Sequence, residues 1–169
     1  MYTAIIIGAG STILYKAAHI KHHRYADKEG DPHSPKYMGL FKVFFGYFFQ
    51  NEENKMNMIY AKDLLRDKEH IFIHQHYFKI HALYFFTLLI ISPILVYALY
   101  IFPAMYSIIG GGVVNTAGHY PDKLKNNTWV TLLFADGDHI YHHENPSDWY
   151  IPFPYWTNTF IKLIKTNQH

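Results

Sequence analysis

Thirteen of the 169 residues are histidine, and seven of those fall into three short patterns with one chemistry in common. HIKHH, residues 19–23, sets His19, His22 and His23 at i, i+3 and i+4, and HIYHH, residues 139–143, repeats the pattern with His139, His142 and His143. NTAGH, residues 115–119, puts Asn115 and His119 one helical turn apart. On a helix these spacings bring side chains to one face. One histidine beside an apolar helix is ordinarily a satisfied core or interfacial residue. Two copies of HxxHH in so short a chain are different, because packed neutral imidazoles bring little stability without a shared cation. The residues therefore read as a polynuclear imidazole site, for which iron and zinc are both acceptable ions. With no cysteine in the chain, thiolate sites, Fe–S clusters and disulfides are excluded, and any metal must sit on nitrogen or oxygen.

The elements that would carry these residues alternate between apolar and polar. The composition is 50% hydrophobic and 18% aromatic against 17% charged, rich enough in apolar residues to suggest membrane contact. A net charge of +2, with no basic stripe interleaved with aromatics, sets nucleic acid aside as a partner. Residues 2–18 are apolar and about the minimum length for a span. Residues 37–50, YMGLFKVFFGYFFQ, read as an amphipathic helix lying at an interface. From Ile80 to Tyr120 there is no Asp, Glu, Lys or Arg. With Pro93 and Pro103 inside it, that run predicts two short membrane helices forming a hairpin at about 80–118. A hairpin returns both ends to one face, which the flanking Lys and Arg residues make cytoplasmic. The expected architecture is all-α: one domain over 1–169, an integral membrane protein with a transmembrane hairpin and a cytosolic cap carrying the histidines.

HIKHHRYADKEGDPHSP, NTAGHYPDKLKNN and DGDHIYHHENP together resemble the second histidine box, the Asn/His segment and the third histidine box of the membrane fatty acid desaturases, in the branch that includes acyl-CoA and acyl-lipid Δ9 enzymes. The resemblance runs from about Tyr15 onward. It implies a non-haem di-iron centre, O2 as co-substrate, and a fatty acyl-CoA or acyl-lipid substrate. An electron donor of ferredoxin or cytochrome b5 type is implied as well. Transferred by motif position, His19, His22, His23, His119, His139, His142 and His143 are the expected iron ligands, with Asn115 holding a metal-bound water. Carboxylates behind the rings would orient them and balance the cationic cluster. Asp27, Asp31, Asp136 and Asp138 are the candidates, each also readable as a helix cap or loop residue. His33 matches a position the family does not use as a ligand.

The departures define the alternatives. The family's first box, HxxxxH, has no counterpart before His19, so the expectation is a chain beginning after it. An upstream piece from another polypeptide, a truncated enzyme, or a site with fewer ligands would each account for this. His70, His74 and His81 lie near one helical face but match a structural link in the family. Ala17 and Ala18 replace the Arg-Asp pair common in animal acyl-CoA enzymes, leaving the acyl carrier open, and Ile140 stands where many relatives have Asn. Lys21, Arg24, Lys28 and Lys36 form a basic edge, for head groups, a donor or solvent. Trp149, Tyr155 and Trp156 would line an acyl tunnel or anchor at the interface. Three functions follow: a desaturase, a related di-iron lipid hydroxylase, and a non-catalytic metal-binding membrane remnant.

Overall fold

The computed structural model describes residues 10–45, 58–121, 123–134, 138–148 and 162–163. Among these the chain is helical, without strands. The first helix, α1 (Thr12–Tyr25), starts where Ser11 caps it, its hydroxyl accepting from the Leu14 N–H. One face of α1 seats Ile13 and Ala17 on Ala61, with Met58, Tyr60 and Leu64 packed around them from two short 3-10 turns, Met58–Ala61 and Leu64–Arg66. Lys16 pairs with Asp63, and the Arg24 guanidinium lies 5.9 Å from the Tyr60 ring centre. This packing leaves the other side of α1, with its three histidines, to face the rest of the chain.

The expected amphipathic helix over 37–50 is interrupted. Two short helices, α2 (Pro35–Met38) and α3 (Leu40–Phe45), meet at Gly39, whose φ of 79° and ψ of 150° suit glycine almost alone. Residues 46–50 lie outside the described segments, as do residues 2–9 of the first apolar stretch.

The uncharged run lies in two long helices, the first of which begins before it. The first, α4 (Lys68–Ile91), opens with Asp67 accepting from the backbone of Glu69 and His70. It ends at Ser92 because Pro93 excludes the helical region for the residue before it; Ser92 adopts φ −169° and ψ 134° and caps the next helix through Ile94 N–H. That next stretch comprises α5 (Pro93–Val96), a π turn (Tyr97–Ile101) and α6 (Phe102–His119), continuous as the apolar helix Pro93–His119. It is the one helix among the described residues long and apolar enough to cross a membrane. The expected second break at Pro103 does not occur. The missing N–H of Pro103 would have served Leu99, and the π turn widens the helix there while the Tyr84 hydroxyl donates to Leu99 O at 3.4 Å. His81 Nδ1 and Tyr100 Oη lie 2.9 Å apart, so α4 folds back along the following helix near the bend.

Two further helices pack on α6. Between Thr128 and Phe134, α7 crosses at Gly110, where a Cβ would stand 2.8 Å from the Phe134 ring. On the other side α3 crosses at Gly112, where a Cβ would meet Phe44 at 2.8 Å. Glycine at these two positions permits the close approach. The last helix, α8 (His139–Glu144), carries the second HxxHH.

Candidate metal centre

Each histidine arrives on a short local device. His19, His22 and His23 project from the last turns of α1, and His119 ends α6. After His119 the chain doubles back, Lys125 N–H donating to Gly118 O and Lys123 N–H to His119 O. Asn126 then clamps the start of α8, donating to Asp138 Oδ1 at 2.8 Å and accepting from Ile140 N–H at 2.8 Å. This clamp sets the His139 ring on Gly118, where a Cβ would lie only 2.4 Å from His139 Cδ2. Asn126 and Gly118 are positions that the histidine patterns do not mark. A glycine inside a helical pattern beside a candidate ligand was the available signal.

The seven histidines gather into two adjoining groups. His22, His119, His139 and His143 form one, and His19, His23 and His142 the other, the ligand atoms of each group lying within 4.8 Å of one another. The two HxxHH motifs cross: the i and i+4 residues of one join the i+3 residue of the other. His19 and His23 take His142, while His139 and His143 take His22, and His119 adds a fourth ring to the latter group. The His23 and His143 rings, one from each group, are 4.3 Å apart between centres.

Within the three-histidine group the Nε2 atoms make a closed triangle with sides of 3.1, 3.1 and 3.3 Å. A neutral imidazole nitrogen carries either one proton or one in-plane lone pair, so three of them cannot all hydrogen-bond around a triangle. One shared cation satisfies all three, and the sides suit ligands bound at about 2.1 Å to a common ion. In the other group His22 Nε2 lies 3.2 Å from His143 Nε2, and His119 Nε2 lies 2.9 Å from His139 Nε2. The residues present therefore fit metal ions held on nitrogen.

Carboxylates sit behind this second group. His22 Nδ1–H donates to Asp31 Oδ1 at 2.7 Å, and His119 Nδ1–H to Asp27 Oδ1 at 2.9 Å. A proton held at Nδ1 leaves the Nε2 lone pair directed into the cluster. Asp31 is fully buried and also accepts from the N–H groups of Asp27 and His33. Asp27 reaches His119 from a left-handed position just past α1, at φ 59°. Burial, then the neighbouring imidazoles, holds the pKa of His22 and His143 far below the usual histidine value. Burial raises that of Asp31 against its two N–H donors. For His22 and His143 the shift favours the neutral form, the state a metal requires of imidazole.

The remaining candidates lie as follows. Asn115 is buried one turn before His119, its amide donating to Gly111 O at 2.9 Å. Asp138 meets Asn126, and Asp136 lies outside the described residues, with Trp149, Tyr155 and Trp156. The buried His33 packs its ring edge-on to His22 at 5.0 Å. His70 and His74 meet hydroxyls of α1 and its cap, Thr12 at 2.8 Å and Ser11 at 2.7 Å, while His81 meets Tyr100.

Among the described residues, helices carrying crossed HxxHH motifs converge on two imidazole groups that could hold metal, an arrangement of the kind the sequence resemblance implies. Comparison with known proteins gives the family. The family model described as Fatty acid desaturase matches residues 1–157, and the chain belongs to that family. Among curated relatives it is 22% identical to the Δ9 fatty acid desaturase fat-5 of Caenorhabditis elegans and 24% identical to fat-7 of the same organism. Each of these alignments covers 85% of this chain and 50% of the relative. A hex-5-enoyl-[acyl-carrier protein] acetylenase of Moorena producens (strain JHB) is 34% identical over 79 residues, covering 40% of this chain and 24% of the relative. The chain spans about half the length of the Δ9 desaturases it matches. No solved structure matches it.

Proposed function

We propose that this chain, as a single domain, forms the histidine-box part of an O2-dependent fatty acyl desaturase. The observation that carries the reading is the convergence of seven imidazole nitrogens into two adjoining groups in a member of this family. Two iron ions bound there would supply the oxygen-activating redox chemistry that removing hydrogen from an unactivated methylene demands.

The chain's own residues prepare that site. Asp31 and Asp27 keep protons at Nδ1 of His22 and His119, so that Nε2 faces the cluster as a neutral donor. The end of α6, with its buried Asn115 and Gly118, closes one side and excludes water there. Asn115 would orient a polar ligand through its amide, and Asp136 and Asp138 would balance cluster charge from the loop before α8. The helices on either side of Ser92 would span the membrane, with the histidines on the cytoplasmic side, where fatty acyl-CoA or acyl-lipid and a ferredoxin or cytochrome b5 type donor meet the cap.

The test is expression of the chain, alone and joined to an upstream desaturase segment, in a host whose fatty acids are analysed for new double bonds, with iron measured per purified chain. New double bonds lost together with iron in His22→Ala support the reading. Product unchanged by that substitution, or an alcohol in place of the alkene, overturns it, the alcohol pointing to a hydroxylase.

A further inference from the structure

We infer that the two metal positions differ in affinity, the four-histidine group filling first and the three-histidine group holding the more exchangeable ion. This rests on the proposed two-metal reading. The crossed motifs contribute three rings to each group in mirrored fashion, and among the described residues one group gains a fourth. His119 is added there, fully buried and held by Asp27. His22 in the same group is also fully buried and held by Asp31. The three-histidine group is part-exposed at all three rings.

The fourth ring and the deeper burial favour retention at the four-histidine position. A further nitrogen ligand adds a bond, and burial keeps competing water away. A carboxylate on Nδ1–H raises the basicity of the ring and fixes its orientation, and losing such a contact typically lowers metal affinity about 10- to 100-fold. Near-symmetry makes the claim sharp: without His119 the two positions have the same ring count.

The experiment is an anaerobic calorimetric titration of the metal-stripped, detergent-purified chain with Fe2+, with bound iron counted independently. The expected result is two steps separated by at least about tenfold in dissociation constant. His142→Ala removes the weaker step and spares the tighter one. His119→Ala draws the steps together, and Asp27→Asn weakens the tighter step alone. Asn tolerates the left-handed backbone at position 27, so the last variant tests the carboxylate with the turn preserved. Two equal steps in the parent chain, or a separation unchanged in both His119→Ala and Asp27→Asn, would overturn the inference while leaving two-metal binding standing. No uptake of Fe2+ would overturn it together with the metal reading beneath it.

Discussion

The histidine cap buries polar residues, whereas the paired long helices expose large apolar ones. In the cap, His22 and His119 are 0% exposed and Asp31 is equally enclosed, whereas on the long helices Leu83 is 71% and Ile90 86% exposed. Burying polar rings costs free energy unless each is satisfied, and exposing large apolar side chains to water is unfavourable. In the proposed function each region is balanced by something beyond the polypeptide, a cation in the cap and an apolar medium around the helices. The few polar groups between the helices follow the same rule on a small scale, Tyr84 and Tyr100 turning their hydroxyls onto Leu99 O and His81.

The sharpest way to break this contrast is Leu83→Lys. In an apolar medium the substitution costs about 3 kcal/mol at mid-helix, whereas at an exposed position in water it falls within about 0.5 kcal/mol. Membrane-insertion efficiency and thermal unfolding in detergent separate the outcomes, and a neutral result would remove the apolar medium from the comparison.

Gly118→Ala probes the cap with one methyl group. The new Cβ collides with the His139 ring, so the expected loss is about 1–3 kcal/mol of stability together with lowered metal content. Ala at 118 with full metal binding would mean that α8 is not held against α6 as described.

Acid should destabilise the metal-free cap. The pKa of His22, His33 and His143 is lowered from 6.5 in the folded chain, so the unfolded chain binds more protons below that value. Stability is therefore highest above about pH 6.5 and declines as pH falls, by up to about 1.4 kcal/mol per pH unit for each ring. The raised pKa of Asp31 acts with the opposite sign from its ordinary value of 3.8 upward, so the net slope reflects the excess of histidines. Chemical denaturation of the metal-stripped chain at several pH values checks this, and a flat profile would contradict the neutral, buried rings.

The smallest effect expected is from Tyr84→Phe. Its long bond to Leu99 O supports the π turn, and its loss should cost no more than about 1 kcal/mol. A larger loss in thermal unfolding would show that the hydroxyl, more than the widened helix, satisfies the backbone ahead of Pro103.

Some elements were legible because their causes are local. Pro93 ends a helix through steric exclusion at Ser92, a rule the sequence carries openly. Pro103 has the same ring and does not break the helix, because a π turn and a hydroxyl from another helix compensate for the missing N–H. Gly39 divides the stretch after residue 37 by adopting a backbone that the aromatic pattern does not reveal. Asp27 and Asp31 were legible as acids near the first HxxHH, but the choice between cap and ring partner depended on a return of the chain at residues 26–33.

By itself, the sequence determined the donor chemistry: histidine without cysteine, at helical spacings that place i, i+3 and i+4 on one side of a helix. Only the tertiary structure decided how those nitrogens are shared. Crossing α1 with α8 at the end of α6 sends His22 to one group and His19 and His23 to the other, and adds His119 to the first. Periodicity fixes directions around a single helix axis, whereas the angle at which two axes meet is set by remote contacts such as Gly118 against His139 and the Asn126 clamp.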